Sequence, residues 1–204
     1  MRGCLIALAV LAALAVAAAI AGPLFILPAT TTSSRATPLA EVTVSTESAA
    51  SLDEKIGGIE TVAASTQATS KPTPVTLRVT EQELTSKAAE LISRSSGHSQ
   101  YEAKNVQIHL LPGEVLATAS VRVSGFDLPL TIKARVEAED GKPKVTVTEA
   151  DLGPLPLPGN LKDQIVSVFQ TELSQIWVDS PVEIQEIRIE QGMATITGLA
   201  KPTQ

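Results

Sequence analysis

From residue 75 onward, apolar and polar side chains alternate along most of the chain. Val75, Leu77 and Val79 point one way and predict a short strand. Thr80-Glu81-Gln82-Glu83 then reads as a capping box, in which the threonine caps a helix and Glu83 reaches back to its backbone. That helix is expected to run to about Arg94, with Leu84, Ala88, Leu91 and Ile92 on one face. Strand periodicity returns at Val106, Ile108 and Leu110. Pro112-Gly113 predicts a tight turn, and Val115, Ala117, Ala119, Val121 and Val123 alternate on the way back. The cleanest run comes next. Leu128, Leu130, Ile132, Ala134, Val136 and Ala138 face one side, and Thr131, Lys133, Arg135 and Glu137 the other. Asp140-Gly141 is a strong hairpin signal, and Val145 and Val147 continue beyond it. These strands predict an antiparallel sheet with one apolar and one wet face.

A different pattern begins at Leu152. Leu-Gly-Pro-Leu-Pro-Leu-Pro-Gly-Asn leads into a helix expected over Leu161 to Trp177, with Asn160 as its cap. At about 100° per residue, Leu161, Ile165, Val166, Val168, Phe169, Leu173, Ile176 and Trp177 fill about half the circumference. An ordinary surface helix shows an apolar stripe of roughly 100°. Such a helix needs cover on two sides, from a curling sheet or from something apolar that is not protein. Two last strands close the chain. Val182 and Ile184 differ in parity from Ile187 and Ile189, so a bulge is expected near Gln185-Glu186. Glu190-Gln191-Gly192 turns the chain into a final strand from Met193 to Leu199. The expected fold is α+β, a long twisted antiparallel sheet wrapped over two helices.

Ahead of this region stand two stretches of other composition. Cys4 to Ser34 carries no charge, and its apolar heart runs from Leu5 to Leu27. A bilayer needs about 20 such residues. With Arg2 held on the cytoplasmic side, the rest is directed outward. Two readings stand: an uncleaved signal anchor, or a signal peptide cut after Ala19-Ile20-Ala21. Either exports the remainder of the chain. Residues 29–74 are rich in Thr, Ser and Ala and read as a tether. Within it Leu52, Ile56, Ile59 and Val62 recur at helical spacing, interrupted by Gly57-Gly58, which allows a short helix over 49–63. The domain division is therefore 1–28, 29–74 and 75–204.

Composition narrows the chemistry. The net charge is -6, without long runs of either sign, and aromatics are 2% of residues. No basic stripe or stacking platform for nucleic acid is expected. Cys4 is the single cysteine, so neither a disulfide nor a thiolate metal site is expected in the exported part. His98 in a Ser/Gly loop and His109 on the polar face of a strand read as solvated side chains without metal or triad partners. Glu172 and Lys162 fall within or beside the apolar arc of the second helix, as snorkelling edge residues or as contacts for a head group. No catalytic constellation, metal site or cofactor loop is present in the pattern, and no enzyme is expected.

Four stretches taken in order resemble a family. They are Thr80 to Thr85 (Thr-Glu-Gln-Glu-Leu-Thr), Asn105 to Gly113 (Asn-Val-Gln-Ile-His-Leu-Leu-Pro-Gly), Leu152 to Pro158 (Leu-Gly-Pro-Leu-Pro-Leu-Pro) and Ile187 to Gly198 (Ile-Arg-Ile-Glu-Gln-Gly-Met-Ala-Thr-Ile-Thr-Gly). Behind an N-terminal anchor, this arrangement is similar to the LmeA/YpmS-like exported envelope proteins of bacteria. The resemblance implies a fold akin to half of a TULIP lipid-binding protein, with a bent sheet around a long helix, and phospholipid in an apolar groove. The Ser/Thr/Ala tether and the scarcity of aromatics depart from it. The residues expected to meet lipid are Leu128, Leu130, Ile132, Val136, Leu155, Leu157, Ile165, Val168, Phe169 and Ile176. The competing expectation is a closed core, in an interaction module that binds another envelope protein. Open sheet edges would also allow two copies to pair.

Overall fold

The computed structural model describes residues 39–69, 71–95, 102–123, 126–153, 155–156 and 182–201. They form two helices, α1 (Thr46–Thr69) and α2 (Glu81–Ser95), and eight strands. The strands are β1 (Thr73–Thr80), β2 (Glu102–Leu111), β3 (Glu114–Val123), β4 (Phe126–Glu139), β5 (Lys142–Leu152), β6 (Leu155–Pro156), β7 (Val182–Glu190) and β8 (Met193–Ala200). The fold is α+β and entirely antiparallel in its sheets. The single long sheet expected from the pattern is instead two. One has the order β1-β8-β7 and the other β2-β3-β4-β5-β6. The helix expected over 161–177 lies outside the described residues.

The sheets stay separate because the edges where they would join are already occupied. β2 is an edge strand, and α2 lies along it. Thr85 is fully buried; its Oγ1 accepts from the backbone N–H of Ile108 at 3.0 Å and donates to the Ile108 carbonyl at 3.3 Å. One turn earlier, Glu81 Oε1 accepts from the N–H of Leu110 at 2.6 Å. The match is geometric. Four helical residues advance about 6 Å, and two strand residues about 6.7 Å. Side chains at i and i+4 of a helix can thus serve alternate peptide groups of a strand edge, satisfying groups that would otherwise recruit another strand.

The outer edge of β7 is sealed by hairpin turns of the larger sheet. Gly113 N–H donates to the Ile189 carbonyl at 3.0 Å, and Ile184 N–H to the Gly141 carbonyl at 2.9 Å. Gly192, at the β7–β8 turn, donates to the Leu110 carbonyl at 2.9 Å. Asp140 and Gly141 have φ of 51° and 76°, as a two-residue type I′ hairpin requires. The expected bulge in β7 is present, with the register shifting between Ile184 and Glu186. A second bulge lies in β2 between Lys104 and Gln107, where Asn105 takes φ 52°. It resets parity, so that Ala103 and Val106 are both buried.

α2 begins with the expected capping box. Glu83 N–H donates to Thr80 Oγ1 at 3.2 Å, and Thr80 N–H to Glu83 Oε2 at 3.0 Å. α1 starts at Ser45, whose Oγ accepts from Ser48 N–H at 3.1 Å. The helix expected over 49–63 runs from Thr46 to Thr69, straight through Gly57-Gly58. Ala49, Leu52, Ile56, Ala63 and Thr66 are buried, with Ile59 half-buried between them. Their spacing alternates three and four, the seam of a helix packed along one line. Leu52 and Ile56 join Leu77, Val79, Leu84, Ala88, Val106, Ile108, Leu110, Ile189 and Ala194 in one core. Ala63 packs with Val75, Val182 and Ala200 at the other end of α1. Residues 49–66, within the stretch expected to be tether, therefore share their core with the strands of the domain.

Both glycines of α1 lie off this seam, and a methyl group at either would meet nothing within 4 Å. Glycine in a helix interior costs about 1 kcal/mol relative to alanine. Gly58→Ala is therefore expected to raise stability by about 1 kcal/mol, measured by urea unfolding. A loss of stability would mean that the helix bends there.

Candidate functional site

The larger sheet presents two unlike faces. On the wet face, opposite charges sit directly across neighbouring strands. Arg122 and Asp127 are register partners, bonded through Nε at 3.0 Å and Nη2 at 3.1 Å. Lys133 faces Glu149 at 2.5 Å and Arg135 faces Glu114 at 3.4 Å. The Arg122 guanidinium lowers the pKa of the Asp127 carboxyl, and Glu149 raises that of the Lys133 ammonium. Exposed pairs of this kind contribute little to stability. They mark register and orientation.

The opposite face is apolar. Of the predicted lipid contacts, Leu130 and Ile132 are buried, and Leu128 and Val136 half-buried, all on this face of β4. Ala117 and Val121 on β3, Ala134 on β4, and Val145, Val147 and Ala150 on β5 are buried beside them. The switch from Val147 to Ala150 goes with a bulge in β5, where Lys133 pairs with Glu149 and Ala134 with Val147. Leu155 lies in β6, beside Leu152 at the far edge. Leu157, Ile165, Val168, Phe169 and Ile176 lie outside the described residues, as do Lys162, Glu172 and His98. The strands therefore bring together the β4 members of the predicted set.

Among the described residues, the buried members of the core beneath the helices come from β1, β2, β7 and β8, and Val115 and Ala119 of β3 and Val136 of β4 pack against it. Over β3 and β4, a small cleft of about 10 Å³ is lined by Ala103, Val106, Ala117, Thr118, Ala119, Val121, Leu130 and Ile132. It has room for no more than a water molecule.

A larger opening lies next to it. A groove of about 780 Å³ runs between residues 41–44, the second half of α2 and the bulged part of β2. Val42, Val44, Ala89, Ile92, Ala103 and Val106 give it apolar walls; Glu41, Thr43, Ser93, Lys104, Asn105 and Gln107 complete the lining. Val42 N–H donates to Gln107 Oε1 at 2.6 Å and Ser45 N–H to Ser86 Oγ at 3.0 Å, which fix the approach to α1 as one wall. Ala103 and Val106 belong to both the groove and the cleft. Sequence reasoning missed this groove. Its one local signal is the alternation Glu41-Val42-Thr43-Val44, hidden in a Ser/Thr-rich stretch.

Polar groups inside the fold are structural in their contacts. Glu83 is 6% exposed and bridges the helices. Lys55 Nζ stands 2.6 Å from its Oε1, and Ser51 Oγ donates to the same oxygen at 2.7 Å. Burial works against its ionisation, but the hydrogen bonds from Lys55, Ser51 and the Thr80 backbone outweigh burial and lower its pKa. Lys87, 3% exposed, contacts Asp53 at 2.6 Å and Glu90 at 3.0 Å. Burial works against its charge too, yet these carboxylates raise its pKa. His109 departs from expectation. It is buried rather than solvated, with Nδ1 3.9 Å from Glu81 Oε2, because the first turn of α2 comes against the β2 side that alternation assigns to water. Among the described residues, no three His, Cys, Asp or Glu side chains are placed to hold a metal. No described helix is long and apolar enough to cross a membrane.

No protein-family model and no curated protein matches the chain, so its own sequence, geometry and charges are what bear on function.

Proposed function

We propose that this chain is a membrane-tethered, extracytoplasmic lipid-binding protein of the bacterial cell envelope. It holds phospholipid against the apolar face of β3, β4 and β5, and it performs no catalysis. The observation that carries this reading is that face itself. Leu128, Leu130, Ile132 and Val136 line one side of β4 without a polar side chain between them on that side, while the pairs Arg122–Asp127, Lys133–Glu149 and Arg135–Glu114 lie on the other. The sequence of Leu161 to Trp177, apolar over about half a helical circumference, supplies the opposite wall in this proposal, with Leu155 and Leu157 at its margin. That arrangement is the half-TULIP-like one which the family resemblance implies. Each acyl CH₂ buried there contributes about 0.8 kcal/mol. The uncharged segment from Cys4 to Ser34 tethers the domain to the bilayer, or directs its export if cleaved.

Photo-crosslinking tests the assignment of faces. The full chain carries p-benzoylphenylalanine in place of Leu128 or, as a control, of Arg135 on the wet face. Illumination with phosphatidylglycerol vesicles is expected to give a lipid adduct at position 128 and none at 135. Equal labelling at both positions would remove this face as the binding site.

A further inference from the structure

The groove beside the β2 bulge is large, apolar and open, and the lipid-binding reading does not by itself assign it. Its volume of about 780 Å³ lies within the range of about 300–1,000 Å³ common to small-molecule sites. Its walls continue through Ala103 and Val106 into the cleft over β3 and β4, where Leu130 and Ile132 lie. The two large hydrophobic side chains most exposed among the described residues, Leu39 at 43% and Val44 at 49%, lie on this approach. Leu39 comes after the apolar run ending at Leu27 by only a dozen residues. At a fully extended length of about 3.5 Å per residue, this places the groove within about 40 Å of the bilayer if that run is embedded.

We infer that this groove is the mouth through which one acyl chain of a membrane phospholipid passes toward the apolar face of β3–β5. The inference rests on the lipid-binding reading and deepens it. The acyl chain lies along Val42, Val44, Ala89 and Ile92, and it reaches the inner face only as the closed cleft of about 10 Å³ past Ala103 and Val106 widens to admit it. The head group stays at the rim, among the polar residues Thr43, Ser93 and Asn105 that line it. Exposed Val44 and Leu39 suit a surface that meets lipid, because apolar side chains there lose little by facing a bilayer. A neighbouring protein segment is the competing occupant, and the absence of lipid label in the groove would favour it.

The test uses the full chain with phosphatidylcholine vesicles containing phosphatidylglycerol that bears a diazirine at the acyl terminus. After illumination, labelled residues are mapped by peptide mass spectrometry. Label is expected on residues 42–44, 89–92 and 103–106, and on β3–β4. Ala89→Trp fills the groove, and Val44→Asp places a charge at its exposed lip without touching the core. Each is expected to slow labelling of β3–β4 at least tenfold. If Ala89→Trp does not fold, Val44→Asp decides alone. Label on β3–β4 at the wild-type rate in Val44→Asp, with the groove residues unlabelled, would overturn the mouth while leaving the lipid-binding reading standing. No label in any part of the protein would remove both.

Discussion

Leu52→Ala is expected to lower the stability of the protein by about 3 kcal/mol, within the range of about 2–5 kcal/mol for truncating a fully buried leucine. Leu52 has no exposed surface and lies in one core with Ile56, Leu77, Val79, Leu84 and Ile108. Its removal takes apolar area out of the core and leaves a cavity between helix and sheet. For a chain of this size the fall in Tm is on the order of 10 °C. Glu54→Ala, two residues on and exposed, is the control, with an expected change within about 0.5 kcal/mol. Differential scanning calorimetry of the two variants separates a docked α1 from a tether. In a tether neither substitution would change Tm.

Glu83→Ala is the second large effect. The carboxylate joins the two helices: the start of α2 through Thr80, and α1 through Ser51 and Lys55. Removing it leaves buried donors unsatisfied at about 1–3 kcal/mol for each group. It also deprives Lys55 of its partner, although Lys55 is 37% exposed on its side chain and donates as well to the Arg78 carbonyl, so water and that carbonyl recover part of the loss. The net cost is expected near 3 kcal/mol. Glu83→Gln keeps the shape and loses the charge, and should cost about 1 kcal/mol. The direction of the pKa shift sets the pH dependence. The folded-state pKa of Glu83 lies below its unfolded value, near 4.3. Its stabilisation is thus fully present above that value and disappears as pH falls through the lower folded pKa. Between pH 5 and 3 the wild type should lose more stability than Glu83→Gln. Parallel pH profiles for the two in urea unfolding would show that folding leaves the pKa of Glu83 unshifted.

The local grammar of the chain was largely legible. The strand alternation of β2 to β5, the Asp140-Gly141 turn, the Thr80–Glu83 capping box and the β7 bulge all express themselves within a few residues. What was hidden depends on partners far away in sequence. β1 pairs with β8 from Thr73↔Ala200 to Thr80↔Met193, and nothing near residue 75 signals this. Thr85 and Glu81 read as ordinary helix residues, yet their hydrogen bonds close the edge of β2 and help to make two sheets out of one. α1 was underread for a different reason. Its seam includes Ala49, Ala63 and Thr66, which carry little hydrophobic signal, and two glycines that argue against a helix. The same limits apply to the candidate site. Alternation picked out the β4 residues of the inner face. The groove beside β2 is built from three separate stretches, each ordinary when read alone.

Native mass spectrometry of the full chain, purified from a lipid-containing host in gentle detergent, weighs any bound phospholipid together with the protein. A population heavier by the mass of a phospholipid is expected, with the extra mass lost when the protein unfolds. A chain that emerges bare, and stays bare after incubation with phosphatidylglycerol, would contradict lipid binding; the apolar face would then be a closed core.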